Sequence, residues 1–421
     1  MRILKVRRKD WVVLSVIYIA ALIYRIAIVY YFSWDRGPHF ENYQIACYIL
    51  NGQGYWWDWL HTIPPQPTAL LPPVYTFFLV IFMYLFNDPF RLIYIAQSFL
   101  NALGVIPGFY LGKHLGGRRA GIIAAGSYAF FPEVAITPTK LISEPLFVPL
   151  VILGIYLFLK YKSNLGLKSQ YWQFFWLGVI LGFATLIKTT ASLLTLAFFI
   201  SLLLAKKNRK AHLMALMVCG MGFLLITFPW NLRNLIVMKK PMLFTSNLGY
   251  NLWRGNHPWG SGTGRLHSGK ESESELPPEY LEYLDKNRPR IEIELDAFYF
   301  DEAIKFIKHD PSRYIGLTLK RMLYFMTLDP THPLTKNVVY LGGYLFVLFF
   351  GIWGAMILKI KGRLDSVFLV APFLAFSFYT PIIILPRYRL TMILVLLILS
   401  SLPISGLISK IKEYYSLGRS E

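Results

Sequence analysis

Three carboxylates stand where long apolar runs of the sequence end or begin. Asp35 and Glu41 follow the first apolar run, and Glu144 precedes a later one, immediately before Pro145. A carboxylate at the edge of a membrane can act as a general base, because partial burial and neighbouring charges adjust its pKa. Two other interpretations stay open: the first two acids are solvated loop residues, and Glu144 complements the positive end of the helix that Pro145 begins.

A few isolated cations accompany these acids outside the main basic clusters: Lys188, Arg233, Arg387 and Arg389. Guanidinium and ammonium groups at the depth of lipid headgroups suit an anionic phosphate. The alternative is that each side chain reaches outward to the lipid headgroups themselves. Arg25 lies within the first apolar run, so we expect it either to reach the interface or to pair with a loop carboxylate.

The composition indicates which elements must position these groups. Of 421 residues, 55% are hydrophobic and 17% aromatic, while only 16% are charged, which is not typical of a soluble protein. Apolar runs close to the ~20 residues that cross a bilayer recur along the chain. The sequence therefore predicts an all-α polytopic membrane protein with about ten transmembrane helices, near residues 12–33, 92–112, 119–133, 145–160, 172–188, 190–205, 211–228, 335–358, 365–385 and 390–408.

The formal charge of +20 sits in short segments between these runs rather than in one patch. If the shorter apolar run Pro72–Phe86 lies on the membrane surface, the basic residues fall on one side, in the N-terminus and in 113–119, 160–168, 206–210, 359–363 and 410–419. Basic segments of this kind face the cytoplasm, so both termini are predicted to be cytoplasmic. Nucleic acid is not predicted as a partner, because the charge follows the membrane topology.

This topology divides the chain into three parts. Residues 1–228 form a transmembrane module whose first external loop is 34–91, residues 229–334 form an external segment with a small helical subdomain, and residues 335–421 form the C-terminal transmembrane helices. The first loop also contains a membrane-surface helix. Cys47 and Cys219 show no disulfide or zinc spacing. No cofactor is predicted, and a divalent metal is left open.

Several short motifs in order resemble the GT-C superfamily of membrane glycosyltransferases, in its protein O-mannosyltransferase-like and aminoarabinose-transferase-like branch. The resemblance runs over most of the chain and includes a membrane-surface helix after the first loop. The motifs are Glu41 with Ile45-Ala46, Gly52-Gln53-Gly54-Tyr55, Pro67-Thr68-Ala69, Pro72-Pro73-Val74-Tyr75, Ser143-Glu144-Pro145-Leu146, Pro229-Trp230-Asn231-Leu232-Arg233-Asn234, Asn247-Leu248-Gly249, Leu252-Trp253-Arg254-Gly255-Asn256 and Arg387-Tyr388-Arg389.

The resemblance implies an enzyme that takes a monosaccharide from a polyprenyl-phosphate donor and passes it, with inversion, to a protein or glycolipid acceptor. Glu41 would be the catalytic base, with Asp35 as the second choice, and Glu144 would support the site. The predicted substrate-binding residues are Lys188, Arg233, Arg387, Arg389, Tyr43 and Tyr55. Such an enzyme lies in the plasma (inner) membrane with its active site toward the periplasm or exterior.

Two rival functions remain at this stage. A transporter or lipid flippase would place charged residues deep within the spans, whereas here they gather at the ends, with Arg25 as the nearest exception. An assembly factor without chemistry would use residues 229–334 as a docking surface.

Overall fold

The computed structural model describes residues 8–32, 40–59, 63–165, 171–264 and 276–417. Within them the only strands are the antiparallel two-residue pair β1 (Trp56–Trp57) and β2 (Gln66–Pro67). The remaining elements confirm the predicted all-α class: α1 (Arg8–Phe32), α2 (Glu41–Leu50), α3 (Pro73–Leu85), α4 (Pro89–Ala102), α5 (Val105–Phe130), α6 (Pro132–Ala135), α7 (Glu144–Lys162), α8 (Tyr171–Ile187), α9 (Ala191–Leu203), α10 (Arg209–Met238), α11 (Leu248–Gly255), α12 (Pro278–Asn287), α13 (Glu292–His309), α14 (Pro311–Met326), α15 (Val338–Ile360), α16 (Val367–Tyr379) and α17 (Leu390–Leu417).

Six stretches of the described residues are long and apolar enough to cross a membrane, and they include α1, α7, α10, α15, α17 and the continuous run from α4 through α5. Shorter apolar helices are α3, α8, α9 and α16. Helices α3, α9 and α16 each have 13 residues and thus a length of about 20 Å, which is shorter than a hydrocarbon core of about 30 Å. Every predicted span coincides with a helix, and α3 coincides with the predicted surface helix.

The bounds of three predicted spans need correction. Helix α10 passes through Pro229 and ends at Met238, not at residue 228. Its last turns hold because Trp230 and Asn234 both donate hydrogen bonds to the carbonyl of Phe244, at 2.8 and 3.2 Å. Helix α16 ends at Tyr379 rather than at residue 385, and α5 ends before Pro132.

Helix α5 is a hairpin folded at one glycine. Gly117 has φ +84° and ψ −177°, a conformation reserved almost wholly for glycine. On either side of it the two halves pack against each other, since Gly112 lies against Ala124 and Gly104 against Tyr128. The two predicted spans 92–112 and 119–133 are therefore separate passes joined by a turn at residues 113–119.

Side chains from several basic segments meet on one face, called here the basic face. Asp10 of α1 is buried and pairs with both Lys113 and Arg118 at 2.7 Å. Lys162 at the end of α7 pairs with Asp365 at 2.9 Å. The same face also includes the contacts Arg363 to the carbonyl of His114 at 3.2 Å and Arg119 to Ser409 at 2.7 Å. These contacts bring the predicted cytoplasmic segments together.

Helices α11 to α14, predicted to be external, are joined to the first loop by one buried acid. Glu292 of α13 is 1% exposed and accepts hydrogen bonds from the backbone N–H of Ala69, at 2.9 Å, and from the hydroxyl of Ser246. Burial raises the pKa of Glu292. Gln66 of β2 adds bonds to the backbone of Arg290 and Glu292, at 2.7 and 3.0 Å. The loop carrying Tyr55 is thus held between the spans and the external helices.

Candidate active site

The centre of the candidate site is a buried ion pair between Glu144 and Lys188. Glu144 begins α7 and is followed by Pro145 in the first turn, where the missing N–H of proline costs no hydrogen bond. Lys188 directly follows α8, whose position is fixed by close packing of Gly178 against the carbonyl of Cys219 on α10. The side chains are 2% and 12% exposed, so the pair is largely removed from water.

Arg387 brings a second cation to this pair. Its guanidinium interacts electrostatically with the carboxylates of both Glu144 and Glu41. The turn that carries it is held by Tyr388, whose ring stacks on Tyr379 with a centroid distance of 4.2 Å. Arg387 itself keeps an exposed side chain. The arrangement places an exposed cation beside a closed ion pair, and such a charge distribution suits an anion.

Glu41 reaches this cluster from the first turn of α2. The helix is anchored on both sides: the side chain of Asn42 accepts a bond from Thr76 at 2.8 Å, and that of Gln44 accepts one from the indole of Trp57 at 2.7 Å. Glu41 is half-buried and stands at the positive end of its helix, where a negative charge is favoured. Glu144 is committed to Lys188, so Glu41 is the more accessible carboxylate. Asp35, the other predicted base, lies outside the described residues.

Two predicted binding residues, Arg233 and Tyr55, form a separate cluster. Arg233 donates to the carbonyls of Thr68, at 2.6 Å, and Tyr55, at 3.2 Å. The hydroxyl of buried Tyr55 lies 3.1 Å from that of Thr76, and its ring packs on Trp230. Arg233 lies over both rings. The cluster connects α10 to the first loop through contacts between protein groups.

Arg389 and Tyr43 also point to protein neighbours. Arg389 is buried, donates to the carbonyl of Thr327 and to the hydroxyl of Tyr340, at 2.7 Å for the latter, and lies 4.3 Å from the ring centroid of Tyr344. The two arginines of the turn therefore have different partners: Arg387 interacts with Glu144 and Glu41, and Arg389 bonds to Thr327 and Tyr340. Tyr43 is half-buried and packs on Phe90 of α4.

The search from sequence missed Arg254 as a site residue, although it lies within a quoted motif. Arg254 on α11 interacts electrostatically with Arg387. Gly255 packs so closely on the carbonyl of Ile382 that a side chain would not fit. The only sequence signal was the motif itself, because the proximity of α11 to the Arg387 turn is a tertiary feature.

Arg321, also missed, holds that tertiary contact in place. It is fully buried on α14 and donates to the carbonyls of Gly255, at 2.8 Å, and Pro381, at 3.2 Å, and to the side chain of Asn256 at 3.0 Å. It also donates to the carbonyl of Thr380 at 2.5 Å. Arg321 therefore positions the segment that leads to Arg387 without contacting the ion pair.

We expect Arg321→Leu to lower the free energy of unfolding by about 3 kcal/mol, because it strands several buried carbonyls without donors. Thermal unfolding in detergent measures this change. Arg313→Leu on the same helix removes an exposed guanidinium, and we expect it to change stability by no more than about 0.5 kcal/mol. Equal unfolding temperatures for wild type and Arg321→Leu would contradict this role.

Arg25, the buried cation of α1, follows neither expected alternative. Its guanidinium donates to the side chain of Asn101 at 2.7 Å and to the carbonyls of Ala129, at 2.7 Å, and Ala21, at 3.1 Å. It is fully buried. Arg25 joins α1 to the α4–α5 hairpin through neutral groups, so it neither reaches the interface nor pairs with a loop carboxylate.

The described residues contain no group of three or more His, Cys, Asp or Glu side chains that could hold a metal ion. Asp35 of the first loop lies outside the described residues.

Part of the sequence matches a known protein family. Residues 71–232, from the first loop to α10, match the family model of dolichyl-phosphate-mannose-protein mannosyltransferases. No curated protein matches the sequence. The matched part contains Glu144 and Lys188 and ends before Arg387.

Solved structures with a similar fold include the archaeal oligosaccharyltransferase AglB of Archaeoglobus fulgidus in complex with an inhibitory peptide and a dolichol-phosphate, at 15% identity and a TM-score of 0.60. The apo form of the A. fulgidus enzyme has 14% identity and a TM-score of 0.59. Both alignments cover 98% of this chain and 52% of the other, so the chain spans about half the length of these structures. The resemblance to the GT-C superfamily is confirmed.

Proposed function

We propose that this chain, which has the fold of the GT-C membrane glycosyltransferases, transfers a monosaccharide from a polyprenyl-phosphate donor to an acceptor on the non-cytoplasmic face. The observation that carries the proposal is the cluster of Glu144, Lys188 and Arg387 beside the accessible Glu41. The archaeal structure with a bound dolichol-phosphate supports a lipid-linked phosphate as the ligand of such a cluster.

The length and ends of helix α7 support the proposed side of the membrane. Its 19 residues span about 28 Å, from Glu144 at one end to Lys162 at the basic face. The site therefore lies at the opposite end from the basic face. Because basic segments stay in the cytoplasm, we infer that the site faces the periplasm or exterior.

In the proposed reaction, Arg387 and Lys188 hold the donor phosphate. When the bond between the anomeric carbon and the phosphate oxygen breaks, its electron pair stays on that oxygen, and the two cations stabilise the growing negative charge. The acceptor oxygen or nitrogen attacks the anomeric carbon from the opposite side, while Glu41 takes its proton. A single displacement of this kind inverts the anomeric configuration.

Glu144 acts as a positioning residue in this scheme. Its carboxylate is ion-paired with Lys188 and buried, so it holds the ammonium group toward the phosphate position rather than exchanging protons with the acceptor. Removing one partner of a buried pair leaves the other charge uncompensated. The site therefore depends on both residues together.

The test is a transfer assay with purified protein in lipid nanodiscs, radiolabelled polyprenyl-phosphate monosaccharides and membrane acceptors. We expect transfer by wild type and its loss in Glu144→Gln. Glu294→Gln, an exposed acid on α13, is the matched control and should retain transfer.

Transfer that survives Glu144→Gln would remove the site assignment. If no donor of a broad panel gives transfer, while the protein moves labelled lipid between leaflets, the flippase would replace the enzyme as the function. The burial of Arg25 among neutral partners weighs against that rival, because its guanidinium is bonded to protein groups and is not open to a transport pathway.

A further inference from the structure

A row of aromatic rings on the external helices forms a second candidate site, called here the ring platform: Trp259, Tyr280 and Tyr283. The rings of Trp259 and Tyr280 are 4.7 Å apart, and those of Tyr280 and Tyr283 are 5.9 Å apart with planes inclined by only 15°. Trp259 is 42% and Tyr283 39% exposed. The row is continuous and open on one side.

Hydrogen bonds to neighbouring helices hold the tyrosines of the platform in place. The indole N–H of Trp253 donates to the hydroxyl of Tyr280 at 3.0 Å. The hydroxyl of Tyr283 donates to Glu302 at 3.0 Å, and Glu302 in turn pairs with Lys305 at 2.6 Å. Rings fixed in this way lose little conformational freedom when a ligand packs on them. An exposed row of rings with its polar ends tied into the protein is suited to binding.

The charges around the platform indicate the chemistry of the ligand. Glu279 and Glu282 are exposed beside Tyr280 and Tyr283 on α12. Lys305 also lies near Tyr283, so the charges around the rings are mixed, whereas aromatic residues that anchor a protein in lipid headgroups are usually accompanied by an excess of Lys and Arg. A sugar needs both features at once: its C–H face packs on an aromatic ring, and its hydroxyls donate hydrogen bonds to carboxylates.

The platform adjoins the candidate active site. Trp253, which supports Tyr280, precedes Arg254 on α11, and Arg254 interacts electrostatically with Arg387. Gly255 packs on Ile382 in the segment that leads to the Arg387 turn. The helix that supports the platform is thus also the helix that carries Arg254 toward the Arg387 turn.

We propose that the ring platform binds a saccharide portion of the acceptor, so that the acceptor is a glycan or glycolipid rather than a bare polypeptide. This inference rests on the proposed transferase function, because only a transferase has an acceptor. Saccharide binding to the platform can nevertheless be measured without a donor. Trp259 and Tyr283 supply the stacking faces, and Glu279 and Glu282 accept the hydroxyl bonds.

The experiment measures binding of neutral linear trisaccharides (mannotriose, maltotriose and chitotriose) to the full chain in nanodiscs without donor, by saturation-transfer NMR. We expect at least one of them to bind, and Trp259→Ala to weaken its Kd about tenfold through loss of apolar contact. Leu281→Ala on the same helix removes an equally exposed, non-aromatic side chain and is expected to bind as wild type. Tyr283→Ala is a second variant in case Trp259→Ala does not fold.

Three outcomes would overturn the inference. These are no binding of any trisaccharide, unchanged binding in Trp259→Ala and Tyr283→Ala, or quenching of Trp259 by spin-labelled lipid, which would make the platform a membrane anchor. If instead the proposed transferase function is wrong, the protein will not turn over the donor but will still bind the saccharide. If transfer occurs, Trp259→Ala should raise the KM for the acceptor and leave the KM for the donor unchanged.

Discussion

Glu41→Gln is expected to lower the rate of sugar transfer by about 10²–10⁴-fold, the usual contribution of a general base. The amide keeps the size and polarity of the side chain but cannot accept the proton of the acceptor. Because Glu41 contributes only one of the charges around the phosphate position, donor binding should change by no more than about threefold. Single-turnover rates and equilibrium binding of a labelled donor separate the two effects.

Two parallel variants sharpen this test. Asp35→Asn probes the other predicted base, and Glu294→Gln probes an exposed acid away from the cluster. A larger loss in Asp35→Asn than in Glu41→Gln would transfer the base assignment to Asp35. If Glu41→Gln weakened donor binding and left the single-turnover rate intact, the carboxylate would be a binding group and not the base.

Arg387→Met is expected to reduce transfer by about 10²–10³-fold, because in the proposed reaction the guanidinium stabilises the oxygen on which charge develops. The loss should appear both in donor affinity and in the chemical step, since the phosphate is anionic before and after the bond breaks. Arg387→Lys should recover part of the activity, as it keeps the charge but loses the planar fork of donors.

Arg91→Met is the control for Arg387→Met, because it removes an exposed guanidinium from α4, outside the cluster. We expect its transfer rate to equal that of wild type. A further check is the salt dependence of donor binding, which should be weaker in Arg387→Met than in wild type. Equal activity of Arg387→Met and wild type would show that the phosphate is held elsewhere.

Hydropathy and charge were sufficient to predict most of the fold. Each predicted span coincides with a helix, and the short run at Pro72–Phe86 is a helix of 13 residues. The failure at the end of α10 has a physical reason: residues after Pro229 are polar enough to end an apolar run, yet Trp230 and Asn234 find partners at Phe244. Hydropathy identifies the residues that lie in lipid. It does not identify hydrogen bonds that extend a helix beyond the membrane.

The candidate site was harder to predict than the spans. Glu144, Lys188 and Arg387 come together, whereas Arg233 and Arg389 bind backbone carbonyls or tyrosines. All of these cations stood at the same kind of position in the sequence. A cation that lies near backbone carbonyls is bonded to them, whereas a cation that lies near carboxylates joins the candidate site. This difference depends on the fold. The interpretation that each cation holds a phosphate therefore stays a prediction for Arg387 and Lys188.

The turn at Gly117 determines the direction in which every later helix crosses the membrane. Any other residue there would have to adopt a backbone conformation that costs about 1–3 kcal/mol. A chain that instead continued straight through it would make one crossing of 26 residues, about 39 Å long, in place of the hairpin. In the proposed topology, Glu144, Lys188 and Arg387 would then all emerge on the cytoplasmic side, so this one backbone conformation sets the side of the membrane on which the proposed catalytic residues lie.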